Sequence, residues 1–112
     1  MSCLFCGIVA GEIPATVVYE TERTLAFRDL NPGAPMHVLV VPRDHHANAG
    51  ELAEADPAYA GEVLAAAAAV ARQEGLTGGY RLVANTGDDA GQTVDHLHVH
   101  VLGGRRMGWP PG

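Results

Sequence analysis

The chain has no lysine at all, and its one serine is Ser2. Together these absences remove a phosphate-gripping P-loop lysine, Schiff-base chemistry and a Ser-His-Asp triad built inside the fold. The nucleophiles that remain are cysteine, histidine, threonine and the carboxylates. Positive charge is also scarce: seven arginines stand against thirteen Asp and Glu, for a net charge of −6. That balance opposes binding to a polyphosphate backbone, so polymeric nucleic acid is not an expected partner. No apolar run approaches the ~20 residues of a membrane span. The opening "MSCLFCGIVAG" lacks the basic region and small-residue cleavage site of a secretory signal, and a cytoplasmic location is expected. The abundance of alanine, and arginine in place of lysine, reads as coding bias and carries no function.

What is present fits one domain spanning residues 1–112: 47% apolar and 18% charged residues are enough for a real core. The chain is also short enough for a second copy to complete an active site. "CLFCGIVA" at 3–10 predicts a short helical turn with Leu4, Phe5 and Ile8 as its apolar face. Strands are predicted at "TVVYE", at "TLAFRD" (24–29) and at "HVLVVP" (37–42), the last two joined by the Pro/Gly loop "NPGAP". A long helix is predicted over 57–74, with Asp56 as N-cap, Pro57 in its first turn and Gly75 just beyond its end. "GYRLVAN" (79–85) and "VDHLHVHVL" (94–102) alternate as strands around the glycine-rich loop "TGDDAGQ". The resulting expectation is an α+β fold: a five-stranded, mainly antiparallel sheet with one long helix on one face and a short N-terminal helix.

The stretch "DHLHVHVL" carries the chemistry. In a strand, His96, His98 and His100 share one face at spacings of about 6.6–6.8 Å, while Leu97, Val99 and Val101 face the core. Three imidazoles in strict alternation exceed what a solvated strand face needs. As a metal centre the set is strained, because His96 and His100 stand roughly 13 Å apart and Asp95 points to the other face. As a nucleophilic centre it is well furnished: a neutral imidazole can attack phosphorus or a carbonyl, and its neighbours can move protons near neutral pH. Asn85 and the loop holding Gly91, Gln92 and Thr93 immediately precede the histidines and offer donors for an anion, with phosphate the best fit.

His96-Leu97-His98-Val99-His100-Val101-Leu102 resembles the His-φ-His-φ-His-φ-φ signature of the histidine-triad nucleotide-binding family, in particular its purine nucleoside phosphoramidases. The likeness extends through "CLFCGIVAGEIPA", "LAFRDLNPGAPMHVLVVPRDH" and "NTGDDAGQTVDHLHVHVLGGRRMGWPPG". It implies a homodimer that hydrolyses P–N bonds in nucleoside phosphoramidates or aminoacyl-adenylate-like compounds. By the same resemblance His98 is the nucleophile, His100 contacts phosphate and protonates the leaving group, and His37 and His96 complete the relay that holds the ring tautomer. Asn85, Gln92 and Thr93 contact the phosphate or leaving group, Asp29 receives the ribose hydroxyls, and Leu4, Phe5, Ile8, Phe27 and Leu30 form the base pocket. Taken from the residues alone, Asp29 reads as a turn-capping residue before Asn31-Pro32.

Cys3 and Cys6 form a CxxC. The pair reads as two small buried residues, a redox dithiol or half of a zinc site. No strand precedes residue 3, which disfavours the redox reading. The family resemblance implies a structural zinc held by Cys3, Cys6, His45 and His96, with the adjacent His46 an alternative to His45. The only tryptophan, Trp109, lies in the tail "GGRRMGWPPG". The resemblance implies that this tail reaches the neighbouring subunit and shapes the leaving-group pocket, and Arg106 and Gly108 depart from the usual pattern there.

Overall fold

A computed structural model describes residues 3–112. In chain order the elements are α1 (Leu4–Val9), β1 (Val17–Glu20), β2 (Thr24–Arg28), β3 (Met36–Pro42), α2 (Ala49–Ala55), α3 (Pro57–Gln73), β4 (Tyr80–Val83) and β5 (Val99–Gly103). The five strands form one sheet in the order β1-β2-β3-β5-β4, with every neighbouring pair antiparallel. The expected α+β architecture is therefore present.

Strand β3 lies at the centre of the sheet and is buried along its whole length, as expected where both faces are covered. Val38 and Val40 join Ala26, Val99 and Val101 in a core completed by Tyr59, Val63, Ala66, Ala67 and Val70 of α3. Leu39 and Val41 face the opposite way and pack with Leu25, Phe27 and Phe5. The helical layer thus sits on one side, and α1 with the histidines on the other. Asp56 caps α3 by accepting from the Tyr59 amide at 3.1 Å, and Gly75 takes the left-handed conformation (φ +74°) that ends it.

Two features depart from the expected plan. Helix α2 is additional to the long helix and the N-terminal one. It starts where the Asn48 side chain accepts from the Glu51 amide at 2.9 Å while the Glu51 carboxylate accepts from the Ala47 amide at 2.9 Å, a reciprocal cap. Leu52 is its one buried residue, so its sequence carries little periodicity to read.

The second departure concerns the histidine stretch, which joins the ladder only at Val99, not at Val94. Val40 pairs with Val99, and continuing that register would set Pro42 opposite Leu97. Proline has no N–H to give, so the ladder stops. The Leu97 amide instead donates to the His46 carbonyl at 2.7 Å. The alternation of faces outlasts the ladder: Leu97 joins the helical core, and the His98 ring lies against Phe5.

Candidate active site and metal centre

His98 is 8% exposed, and its ring packs edge-on against Phe5 at 4.9 Å between centroids. Its Nδ1–H donates to the carbonyl of His96 at 2.8 Å, which fixes the tautomer and leaves a lone pair on Nε2. Every fully buried polar side-chain atom among the described residues has a hydrogen-bond partner, and His98 Nε2 has none. This nitrogen is consequently not fully enclosed. An imidazole tied at one nitrogen and open at the other is arranged for nucleophilic attack.

The neighbouring rings form a directed chain. The Gly33 amide donates to His37 Nδ1 at 2.9 Å, so the His37 proton sits on Nε2. His37 Nε2 lies 2.9 Å from His100 Nδ1 and 3.4 Å from Asp29 Oδ2. With Nδ1 of His100 accepting, its own proton lies on Nε2. The His100 ring is 5.0 Å from that of His98, centroid to centroid. A group held over His98 would meet a donor on His100. Burial, then the nearby His98 and His37, pushes the His100 pKa down from 6.5 to about 4, so this donor is a neutral imidazole at neutral pH.

Asp29, His37 and His100 also have donor atoms close enough together to hold a metal ion. The 2.9 Å separation of the two ring nitrogens, however, is a hydrogen-bond length, shorter than the roughly 3.4 Å between two imidazoles around a tetrahedral ion. The arrangement is that of a hydrogen-bonded chain able to pass a proton.

Beside the relay lies a cavity of ≈ 200 Å³ lined by Leu4 and Ile8 of α1, Ile13, Phe27, Leu39 and, at its rim, Asp29 and Leu30. Leu4, Ile8, Phe27, Asp29 and Leu30 are thus brought together as expected. Phe5 lies behind this wall, between Phe27 and His98, with centroids 5.5 and 4.9 Å away. Asp29 fills the turn-capping role and contacts the relay. One oxygen accepts from the Asn31 amide at 2.8 Å as a turn cap, and the other faces His37.

The loop at 86–92 is organised differently from a cradle of free amides. The Gly91 amide donates to Asp88 and the Gln92 amide to Gly87, at 2.9 and 3.1 Å. The Gln92 side chain, 7% exposed, donates both its hydrogens, to the carbonyls of Ala47 and Val94, and accepts from the Gly87 amide. Gln92 is the tie that shapes the loop and docks it onto the chain before α2. The half-buried Asn85 and exposed Thr93 remain as the polar side chains at its two ends.

The fourth group of residues lies under α1. His96 is wholly buried, and its Nε2–H donates to the Pro42 carbonyl at 2.9 Å. Nδ1 therefore carries the lone pair, 3.4 Å from Cys3 Sγ and 3.5 Å from Cys6 Sγ, with His45 Nδ1 3.3 Å from Cys6 Sγ. The four ligand atoms lie within 4.8 Å of one another. Sulfur and nitrogen ligands of a tetrahedral zinc stand about 3.6 Å apart, so the cluster has the donor types and spacing of a Cys₂His₂ site. Burial and the adjacent Cys3 push the Cys6 thiol up from its ordinary value, the cost a bound cation would relieve. His46 is elsewhere, bonded to Glu51 at 3.1 Å and packed on Tyr59, which resolves the choice between the adjacent histidines for His45. The expected relay role of the His96 ring is also revised: its backbone carbonyl, not its imidazole, holds the His98 tautomer.

The HIT domain model matches residues 10–107, most of the chain. The chain belongs to the HIT family. A relative named as a 14 kDa zinc-binding protein, from Zea mays, is 51% identical over 112 positions, covering 97% of this chain and 87% of that one. Another, named adenylylsulfatase HINT1, from Arabidopsis thaliana, is 45% identical over 97% of this chain and 76% of its own length. A solved HIT family hydrolase from Legionella pneumophila superposes with a TM-score of 0.94 at 49% identity, covering 99% of this chain and all of that one. The chain is therefore related to HIT hydrolases over its full fold.

Within this HIT fold, several residues that hold the site together are silent in the sequence. Gly33 acts through its amide, Ala47 and His46 through carbonyls, and Ile13 by reaching back to Gly7, where a Cβ would come within 2.5 Å of its side chain. Backbone roles leave no residue-type signal. Trp109 is 85% exposed, and the preceding Gly108 carbonyl accepts from Arg81 of β4 at 2.7 Å. In the single HIT chain the tail is thus tied to the outer strand of the sheet with its tryptophan facing outward. A larger hollow, ≈ 610 Å³, lies along the same edge between Gly75–Arg81 and Gly104–Met107 and contains none of the histidines.

Proposed function

We propose that this HIT protein hydrolyses purine nucleoside 5′-phosphoramidates, such as adenosine 5′-monophosphoramidate or aminoacyl-adenylate-like compounds, through a nucleotidyl-histidine. The observation that carries this reading is the tautomer of His98. With Nδ1–H spent on the His96 carbonyl, Nε2 is the free nucleophile, and the His100 ring 5.0 Å away carries its proton on Nε2. In the first step the Nε2–P bond forms and the P–N bond breaks. The departing nitrogen takes up a proton from solvent as it leaves, while the His100 Nε2–H, oriented by His37, hydrogen-bonds to it. In the second step water adds to phosphorus, the Nε2–P bond breaks, and the water's proton goes to solvent.

The nucleoside occupies the cavity, its base against Leu4, Ile8, Phe27 and Leu30 and its ribose diol on Asp29, whose carboxylate can accept from both hydroxyls. Asn85 and Thr93 meet the phosphate. Gly91 and Gln92 act by shaping the loop. Zinc at Cys3, Cys6, His45 and His96 serves as a structural crosslink, and no step of the reaction runs through it; the zinc-binding maize relative favours this ion. The outer edge of β4, with exposed Tyr80 and the neighbouring Trp109, is where a second copy would extend the sheet into a homodimer, which sedimentation would detect. Cys3 and Cys6 form no disulfide, which suits a reducing cytoplasm.

The test is a mass spectrum of the protein trapped with an adenylate donor. An AMP adduct on His98 supports the mechanism, and an adduct elsewhere, or binding of AMP without turnover of any substrate, would leave a nucleotide-binding regulatory module instead. The Arabidopsis relative's name adds adenylyl sulfate as a second donor, with attack on the same phosphorus and sulfate as leaving group. Assaying it beside the phosphoramidate and a diadenosine polyphosphate ranks the three leaving groups.

A further inference from the structure

Helix α1 belongs to both sites. It has six residues, well short of the ~12–15 at which an isolated helix becomes even marginally stable in water, so tertiary contacts must hold it. Those contacts are the packing of Phe5, Ile8 and Val9 on β2 and β3 and the two thiols at its first turn, Cys3 capping it and Cys6 one turn on. From the same helix Leu4 and Ile8 wall the nucleoside cavity, and Phe5 braces the His98 ring. A second connection runs through His96. Its ring faces the thiols and its carbonyl fixes His98 Nδ1.

We propose that the metal at Cys3, Cys6, His45 and His96 and the nucleoside are thermodynamically linked, with the metal pinning α1 as the wall of the nucleoside cavity. Cys3 and Cys6 are then positioning residues for nucleotide recognition, acting through α1. The proposal rests on the nucleotide-binding and zinc readings above. In the metal-free protein α1 loses its crosslink, and the cavity loses two apolar walls. Linkage is reciprocal, so nucleoside must tighten metal binding by the same factor that metal tightens nucleoside. A coupling of about tenfold lies within the ordinary range for such pairs.

The experiment is titration calorimetry of AMP into the full-length protein, zinc-loaded and chelator-stripped, with zinc affinity measured against a chromophoric chelator with and without AMP. The expected result is an AMP Kd about tenfold weaker without zinc and a zinc Kd tighter by the same factor with AMP. Because stripping could unfold more than α1, His45→Asn supplies an independent arm. His45 is exposed and does not line the cavity. This variant should need more zinc yet recover the wild-type AMP Kd once saturated. Equal AMP affinity in the loaded and stripped states, or unequal coupling factors, overturns the linkage and leaves the nucleotide reading standing. No AMP binding in either state overturns both, and failure of zinc to bind overturns the linkage together with the zinc reading.

Discussion

His98 and His96 stand two residues apart in one motif and have opposite chemistry. In each, a backbone carbonyl ties one ring nitrogen: the His96 carbonyl holds Nδ1 of His98, and the Pro42 carbonyl holds Nε2 of His96. The untied nitrogen is therefore Nε2 in the first and Nδ1 in the second. His98 leaves its lone pair without a partner among the described residues, and His96 presents its own to two thiols in the interior. The difference shows that a histidine's role is set by which nitrogen the backbone consumes, and not by its place in a repeat.

The sharpest way to break this comparison is to remove each ring in turn. His98→Ala should lower turnover of adenosine phosphoramidate by about 10⁴-fold or more, as losing a covalent nucleophile does, with the fold retained on thermal melting. Metal content should stay at wild-type stoichiometry. His37→Ala interrupts the relay without touching the nucleophile, and kcat should fall by about 10²–10³-fold, within the range of a lost acid–base contribution. The metal side responds in stability instead. Cys6→Ser should lose bound zinc by elemental analysis and melt about 10 °C lower, taking roughly 2 kcal/mol as the loss for a domain of this size.

The depressed pKa of His100 sharpens the same contrast through pH. The folded ring stays neutral down to about 4, whereas the unfolded chain takes up a proton near 6.5. The unfolded state binds more protons between these values, so stability should fall as pH drops from 6.5 toward 4 and level off below. Melting curves across that window should be flatter for His100→Asn. The smallest effect is expected for His46→Ala, which should leave zinc content unchanged and cost about 1 kcal/mol or less, because His46 makes an exposed contact with Glu51. Loss of zinc in that variant would reverse the assignment to His45.

Much of the fold was legible. The long helix announced itself through Asp56, Pro57 and Gly75, and β3 through its apolar run, because those signals are local. Helix α2 was not legible, since its start depends on a reciprocal side-chain cap and its one buried residue makes no pattern. The apolar cavity residues and the Cys3, Cys6, His45 and His96 group were reached from the sequence through family resemblance. Composition alone could place none of them together. Gln92 was read as a phosphate donor because its neighbours are polar and glycine-rich, yet its amide is fully committed to carbonyls supplied from residues 47 and 94.

The sequence by itself determined which chemistry was possible. With no lysine and one serine, and with His96, His98 and His100 alternating against a core-facing Leu97, Val99 and Val101, three imidazoles stood out among the remaining reactive groups and shared one face. What only the tertiary structure decided was how that face is divided. Pro42, 54 residues before His96, faces the histidine stretch without an N–H. It ends the ladder there, and its carbonyl turns His96 into the thiols while His98 stays open. A strand's period of two can put three rings on one side. The partner each nitrogen meets depends on backbone groups from distant segments, and no local pattern encodes those.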